Sequence, residues 1–290
     1  MLNNHKSIVG HENKVLLLSK LYSFFNFFGI NELRVIVYHH VEKNKYDLFL
    51  KQLSLIKKNW NFVTPKQFEN HINGKHILKG KNVLLTFDDG FNSNFFIAET
   101  ILKKLKIKAI FFVPSDFIKI ISASKSRSFI KKNILDNILP IDFNSIRNMS
   151  IKNLKQLVKN GHFIGSHSKT HANLGLISNN KKLKNEIVNS AQYLENILKI
   201  KIKHFAFTYG NYTSMSSKSL KLALSQYDFI YSGLRGNNYR NHINEIIKRD
   251  GIYMDKGSKL LSIFLSGLFD LKYFFQISRI NKLIKKLLNS

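Results

Sequence analysis

Residues 83–90 read VLLTFDDG, and this stretch decides the fold because it is the clearest buried strand in the chain and ends in polar residues. Continuously apolar strands are typical of parallel sheets that are covered on both faces. A helical pattern at 94–105 and a second apolar run at 109–113 follow, which gives a β-α-β order. The stretch therefore predicts a parallel sheet with polar side chains at the carboxyl ends of its strands.

The same pattern continues on both sides of this stretch. We predict strands at 33–38, 204–207 and 229–232, a further strand-like approach at 161–165, and helices at 49–58, 151–159, 183–198 and 217–225. Residues 115–148, rich in Ser, Lys and Asn, resemble an insert. Repeated β-α units of this kind favour an α/β barrel or a doubly wound sheet.

Composition limits the classes of function. The 290 residues are 44% hydrophobic, which suffices for one large domain. The formal net charge of +28 would attract polyanions, but the excess is mostly Lys spread along the chain with abundant Asn and Ile, so we do not expect a nucleic-acid partner. Because Cys is absent, any metal must be held by His and carboxylate side chains.

The two ends are predicted to be appendages. Residues 1–32 form a helical extension with a Phe-rich helix at 15–28, and residues 256–290 form a basic amphipathic tail. No apolar run reaches the roughly 20 residues that span a bilayer. We expect a cytoplasmic protein whose ends either bind peripherally to the inner membrane or pack on the domain, with export left open.

Two pairs of polar residues predict a metal site. Asp88 and Asp89 would repel each other in a buried site without a cation, although Asp-Asp-Gly is also an ordinary turn sequence. His167 and His171 are four residues apart and can face one ion, although such pairs also arise by coincidence on surfaces. One Asp and two His would leave an open position for water, which favours zinc, with nickel or cobalt as alternatives.

Three motifs resemble one known family, the polysaccharide deacetylases with a NodB-type domain (carbohydrate esterase family four). Residues 85–90 (LTFDDG) resemble its TFDDG motif, residues 166–171 (SHSKTH) its H-S/T-x-x-H motif, and residues 205–210 (FAFTYG) its FAYPYG motif. The resemblance covers about residues 33–255, which would form a catalytic domain. It implies a distorted (β/α) barrel and removal of N-acetyl groups from N-acetylhexosamine units of a bacterial surface polysaccharide or its lipid-linked precursor.

The resemblance also implies roles for individual residues. Asp88 would be the catalytic base, and the backbone N–H of Tyr209 would stabilise the oxyanion, with Gly210 beside it at the substrate. The implied metal ligands are Asp89, His167 and His171.

The general acid is less obvious from the family pattern. Many members use a late His, but His242, the late His of this chain, lies in a polar, loop-like stretch. A circularly rearranged subgroup that resembles poly-N-acetylglucosamine deacetylases has a Tyr-His pair on its first strand, and residues 38–40 (YHH) match it. We therefore expect His39 as the acid and His40 as second choice, the alternative being that both cap a buried strand.

Two positions depart from the family. Thr208 replaces a Pro, which would loosen the loop that aims the Tyr209 N–H, and Ala206 replaces an Arg that pairs with the base in many members. Arg249, on a predicted last strand near Asp250, is a candidate for the missing charge. A catalytically impaired glycan-binding module of the same fold is the alternative function, and hydrolysis of a non-sugar amide is a further one.

Overall fold

The computed structural model describes residues 31–135, 143–252 and 258–289, so the helix predicted at 15–28 lies outside the described residues. The strands are β1 (Glu32–Tyr38), β2 (Asn61–Phe62), β3 (Lys81–Phe87), β4 (Ala109–Val113), β5 (Phe163–Ser166), β6 (His204–Ala206), β7 (Phe229–Tyr231) and β8 (Asp250–Gly251). All pairings between them are parallel, in the spatial order β7-β6-β5-β4-β3-β1-β8, with β2 beside the start of β3. The parallel sheet predicted from residues 83–90 is confirmed.

Helices fill the connections between the strands, and two more follow the last strand. They are α1 (Tyr46–Lys57), α2 (Pro65–Ile72), α3 (Asn92–Ile97), α4 (Lys103–Leu105), α5 (Ser115–Ile118), α6 (Ala123–Asn133), α7 (Ile151–Lys159), α8 (Asn180–Leu198), α9 (Ser217–Gln226), α10 (Ser258–Leu265) and α11 (Phe274–Leu288). A π-helical stretch, Ala98–Leu102, joins α3 to α4. The described part of the stretch at 115–148 that resembled an insert thus contains two helices, α5 and α6.

One segment brings the two edges of the sheet together. Ile247 forms a parallel bridge to Tyr231 in β7, and β8, three residues later, pairs with β1. Residues 247–251 therefore close the curled sheet into the distorted (β/α) barrel expected from the sequence.

Side chains of the strands alternate between the barrel interior and the surrounding helices, as the pleat requires. Leu33 and Val35 of β1 and Leu84 of β3 belong to an interior cluster, whereas Ile36 and Leu85 belong to the cluster that packs against the helices. The alternation decides which residues just beyond each strand point into the mouth of the barrel.

Residues 258–289 pack against the barrel. Ile280 and Ile284 of α11 are each 1% exposed, and Leu283 and Leu287 lie against the same core. The apolar face of the basic amphipathic tail is therefore covered by protein. Within the described ranges, no helix has both the length and the apolar content that a membrane crossing requires.

Candidate active site

Asp88 lies at the inner mouth of the barrel. Its backbone N–H donates to the Tyr38 carbonyl oxygen at 2.9 Å, which extends the β1–β3 ladder one residue beyond β3. Leu84 and Thr86 precede it on the inward face at the two-residue spacing of a strand. As a result, Asp88 is only 3% exposed and its side chain lines the cavity.

Arg249 holds this carboxylate from the closing segment. Its Nη1 donates to Asp88 Oδ1 at 2.7 Å and its Nη2 to Oδ2 at 2.9 Å, while Nε donates to the Ser232 carbonyl oxygen at 2.8 Å. Burial alone would raise the pKa of Asp88, but the charges of Arg249 and then His167 outweigh it, so the pKa lies below its ordinary value. The Arg249 guanidinium thus supplies the positive charge that Ala206 cannot, and it keeps Asp88 ionised.

The three implied metal ligands converge. Asp89 Oδ1, His167 Nε2 and His171 Nε2 belong to a buried group whose ligand atoms all lie within 4.8 Å of one another. The two ring nitrogens are 3.5 and 3.2 Å from Asp89 Oδ1, yet that oxygen accepts no hydrogen bond of regular geometry from any described residue. Such an orphaned buried oxygen needs another partner.

Backbone contacts orient both imidazoles. His167 Nδ1 donates to the Ala206 carbonyl oxygen at 2.8 Å and His171 Nδ1 donates to the Asn133 carbonyl oxygen at 2.7 Å. A neutral imidazole that donates through Nδ1 has its lone pair on Nε2, so two nitrogen lone pairs and a carboxylate oxygen face one point.

The electrostatics of this point favour a positive charge. Burial alone would lower the pKa of His171, but the close, negatively charged Asp89 carboxylate outweighs burial and raises the pKa. With two imidazoles and one carboxylate as donors, the group fits a divalent cation.

Glu186 of α8 holds the loop that carries the two histidines. Its carboxylate accepts the backbone N–H of Lys169 at 3.0 Å and that of Thr170 at 2.8 Å, together with the Thr170 hydroxyl at 2.8 Å. Sequence reasoning missed this residue. The available signal was an acidic residue on the otherwise apolar face of α8, next to Leu183 and Ile187.

The loop after β6 is tied to the loop after β5. The hydroxyl of the fully buried Thr208 donates to the carbonyl oxygen of Ala172, directly after His171. Gly233 N–H donates to the Gly210 carbonyl oxygen at 2.7 Å, and a Cβ on Gly210 would lie 2.4 Å from Gly233 N. The loosening expected from Thr208 is therefore offset by a hydrogen bond of its own.

Three site residues have left-handed backbone conformations. The φ angles are 71° at Asp89, 63° at His171 and 62° at Tyr209. Non-glycine residues adopt this region at a cost, and such positions cluster at functional sites. For His171, the hydrogen bond from Nδ1 to the Asn133 carbonyl oxygen helps to hold this conformation.

The two strand-end histidines point in different directions. His39 continues the inward face of β1 after Val37, and both line the cavity. His40 points away, and its Nδ1 lies 2.9 Å from Ser93 Oγ. His242 is exposed and is not among the residues that line the cavity.

These groups share one cavity of about 730 Å³, and part of its wall was not predicted. Arg235 after β7 contributes to it, and so do Phe264, Phe269, Lys272, Tyr273 and Gln276 from residues 258–289. The end of β7 gave a signal for Arg235, since strand ends carry site residues in such folds. The other wall residues follow no strand, so no pattern pointed to them.

The comparison with protein families decides the identity. The sequence profile described as polysaccharide deacetylase matches residues 75–227, more than half of the chain. The chain belongs to the polysaccharide deacetylase family. The matched range contains Asp88, Asp89, His167, His171 and Tyr209. A comparison with curated proteins gives no match.

Solved structures agree with this polysaccharide deacetylase fold. The chain is similar to the Streptococcus pyogenes deacetylase PplD in complex with acetate (TM-score 0.62, 20% identity, 81% of this chain and 99% of that one). It is similar to IcaB from Ammonifex degensii (TM-score 0.62, 20% identity, 81% of this chain and 97% of that one). It is also similar to a de-N-acetylase from Aggregatibacter actinomycetemcomitans (TM-score 0.60, 18% identity, 81% of this chain and 100% of that one). At these identities the likeness shows the fold.

Proposed function

We propose that this deacetylase is a metal-dependent hydrolase that removes N-acetyl groups from N-acetylhexosamine units of a bacterial surface polysaccharide or its lipid-linked precursor. The observation that carries the proposal is the ionised Asp88, paired with Arg249, beside three convergent metal-ligand atoms in one cavity. Hydrolysis of an unactivated amide needs a base next to a site that stabilises negative charge.

Asp89, His167 and His171 would hold the cation, with zinc as the default and nickel or cobalt as alternatives. When bound, the cation polarises the acetamide carbonyl and lowers the pKa of water. Asp88, held ionised by Arg249, accepts the proton of the attacking water.

His39 is the proposed general acid, which protonates the departing amine. It lines the cavity together with Asp88, whereas His40 is engaged with Ser93. The position of the acid supports membership of the circularly rearranged subgroup, because β1, the first described strand, lies between β3 and β8 and brings His39 to the mouth.

The loop after β6 is the proposed site of oxyanion and sugar binding. The backbone N–H of Tyr209 is the proposed oxyanion donor. The Tyr209 side chain is 39% exposed, with its ring centroid 5.4 Å from that of His171, so it offers an aromatic face to a sugar beside the ligand set. Gly210, the second proposed substrate contact, lines the same cavity.

The test compares metal content and acetate release from N-acetylated oligosaccharides for three variants. We expect Asp88→Asn to keep about one zinc-like ion per chain and lose turnover, and His167→Ala to lose both, because only His167 is a proposed ligand. Asp228→Asn, an exposed carboxylate, is the control and should keep both.

Other outcomes separate the alternatives. Metal binding by the wild type without acetate release from any N-acetylated glycan would favour the catalytically impaired glycan-binding module. Equal metal loss in Asp88→Asn and His167→Ala would contradict the division of roles between Asp88 and Asp89.

A further inference from the structure

The C-terminal segment exposes large apolar side chains that neighbour, in sequence, residues that line the cavity. We call Phe274 and Phe275, which are 62% and 75% exposed, the aromatic rim. Leu271, from the same segment, is 66% exposed. Lys272 and Tyr273, from the same turn, line the cavity. Clusters of exposed apolar side chains mark interaction sites on soluble domains more often than isolated ones do.

The same surface continues along α11 as a row of cations. Arg279, Lys282 and Lys286, which we call the basic stripe, follow Phe275 at spacings of four, three and four residues and are exposed. These spacings place them on one face of the helix. The helix contains no acidic residue, and no cation of the stripe forms an ion pair with a described residue.

The opposite face of α11 packs against the hydrophobic core of the domain. Ile280 and Ile284 are buried, so the helix cannot lie in a bilayer on its apolar face without leaving the domain. If α11 contacts a membrane or another molecule while it stays packed on the domain, the contact uses its exposed side, which carries the rim and the stripe.

We infer that the aromatic rim and the basic stripe dock the protein on an anionic lipid bilayer, with the cavity mouth turned toward the membrane. Aromatic side chains favour the interface between headgroups and acyl chains, and Lys or Arg is attracted to anionic headgroups. A soluble polyanion would use the cations and leave the rim in water, whereas an apolar protein partner would use the rim and leave the cations unpaired. An anionic bilayer satisfies both.

This docking narrows the substrate class, and in that respect it rests on the proposed function. A mouth facing the bilayer receives an N-acetylated sugar that is linked to a lipid or lies beside the membrane. Lys272, at the border between rim and cavity, would then lie where a phosphate link between sugar and lipid passes.

The test is co-sedimentation of the full chain with vesicles of equimolar phosphatidylglycerol and phosphatidylcholine, and with vesicles of phosphatidylcholine alone. The rim variant is Phe274→Ser with Phe275→Ser, and the stripe variant is Lys282→Gln with Lys286→Gln. Each has a control with the same kind of change. Ile121→Ser with Leu176→Ser alters side chains that are 98% and 81% exposed, and Lys155→Gln with Lys159→Gln alters exposed lysines of α7.

We expect the wild type to bind the anionic vesicles and not the neutral ones. The rim and stripe variants should each bind about tenfold or more weakly, while both controls bind like the wild type. The docking would be overturned if the rim variant bound anionic vesicles as well as the wild type does. It would also be overturned if the stripe variant and its lysine control lost the same amount of binding. Stripe-dependent binding to soluble polyphosphate without vesicle binding would also overturn it.

Metal content, melting temperature and acetate release from a soluble N-acetylated oligosaccharide are measured on the same proteins. The rim and stripe variants should keep all three, because neither pair lines the cavity. Absence of metal or turnover in the wild type would count against the proposed function, whereas vesicle binding tests the docking separately.

Discussion

Asp88 and Arg249 carry two charges that water hardly reaches, since they are 3% and 2% exposed. A buried ion pair adds little net stability, but removal of one partner leaves an uncompensated charge. The pair therefore matters more for the ionisation state of Asp88, the proposed base, than for the stability of the fold.

This reasoning predicts a non-additive result for Arg249. Arg249→Met should lower the free energy of unfolding by about 3–5 kcal/mol, because Asp88 then stays buried without a partner. Asp88→Asn with Arg249→Met should recover much of that loss, since the charge is gone. Urea unfolding of both variants checks this, and a double variant no more stable than Arg249→Met would contradict the coupling.

Thr208 lies between two loops of the site, where its hydroxyl donates to the Ala172 carbonyl oxygen. Thr208→Val keeps the shape but removes the donor, so we expect turnover to fall about tenfold while metal content stays unchanged. Thr208→Ser keeps the hydroxyl and should keep most of the turnover. A loss of metal in Thr208→Val would mean that the bond holds His171 rather than the Tyr209 loop.

At the scale of the elements, the alternation of the strands explains which polar residues meet. Val37 and His39 face inward from β1, as Thr86 and Asp88 do from β3. The position of His39 rather than His40 in the cavity follows from this two-residue period. Because the period can be counted along the amino-acid sequence, the direction of both side chains was predictable once the end of β1 was placed.

The turn before β5 depends on a neutral histidine. His162 Nδ1 accepts the Ala109 N–H at 3.1 Å, which ties β5 to β4. Burial, and then the charge of Lys108, lowers the pKa of His162 from 6.5 to about 4. Between these two values the unfolded chain binds a proton that the folded chain does not, so stability falls as the pH is lowered.

Comparison with a variant measures this effect. Between about pH 7 and about pH 5, the wild type should lose about 2 kcal/mol more unfolding free energy than His162→Gln does. His242→Gln, at an exposed position, should lose as much as the wild type. Equal losses in wild type and His162→Gln would show that this histidine does not titrate differently on unfolding.

For the whole molecule, a buried charge network fastens the C-terminal segment to the barrel. Arg34 Nη2 of β1 lies 2.8 Å from Asp270 Oδ2, and Arg235 Nη2 donates to the Phe264 carbonyl oxygen at 3.2 Å. Asp250 lies between the two guanidinium groups, 3.5 Å from Arg34 Nη1 and 3.2 Å from Arg235 Nε. The cavity wall therefore depends on a few polar contacts as well as on apolar packing.

A substitution at Gly267 can test how this network holds the C-terminal segment, because Gly267 lies against Arg34. Its φ is +85°, and a Cβ there would lie 2.4 Å from Arg34 Nη2. Gly267→Ala should loosen the wall and raise KM, while metal content stays unchanged. Gly74→Ala has a similar φ of +68° but meets no atom within 4 Å, so it isolates the clash from the backbone strain. Equal KM values in the two variants would show that the clash does not affect the cavity.

The sequence predicted the parts of the molecule that depend on local pattern. Apolar runs located β1, β3 and β4, and the motifs located the site residues that follow β1, β3, β5 and β6. The cavity wall at 264–276 could not be predicted, because it results from packing of the last helices on the barrel. Glu186 is an intermediate case. Its place on the apolar face of α8 could be read from the sequence, but its hydrogen bonds to Lys169 and Thr170 could not.

Arg249 follows Asp88 by 161 residues, and the segment that closes the barrel follows almost all of its strands. On the ribosome, the strand with Asp88 emerges long before the guanidinium that neutralises it and before the wall of the cavity. A nascent chain therefore carries the aspartates and histidines of the site without a working pocket around them. The enzyme would acquire activity late in translation, and a chain interrupted before residue 249 would be released inactive.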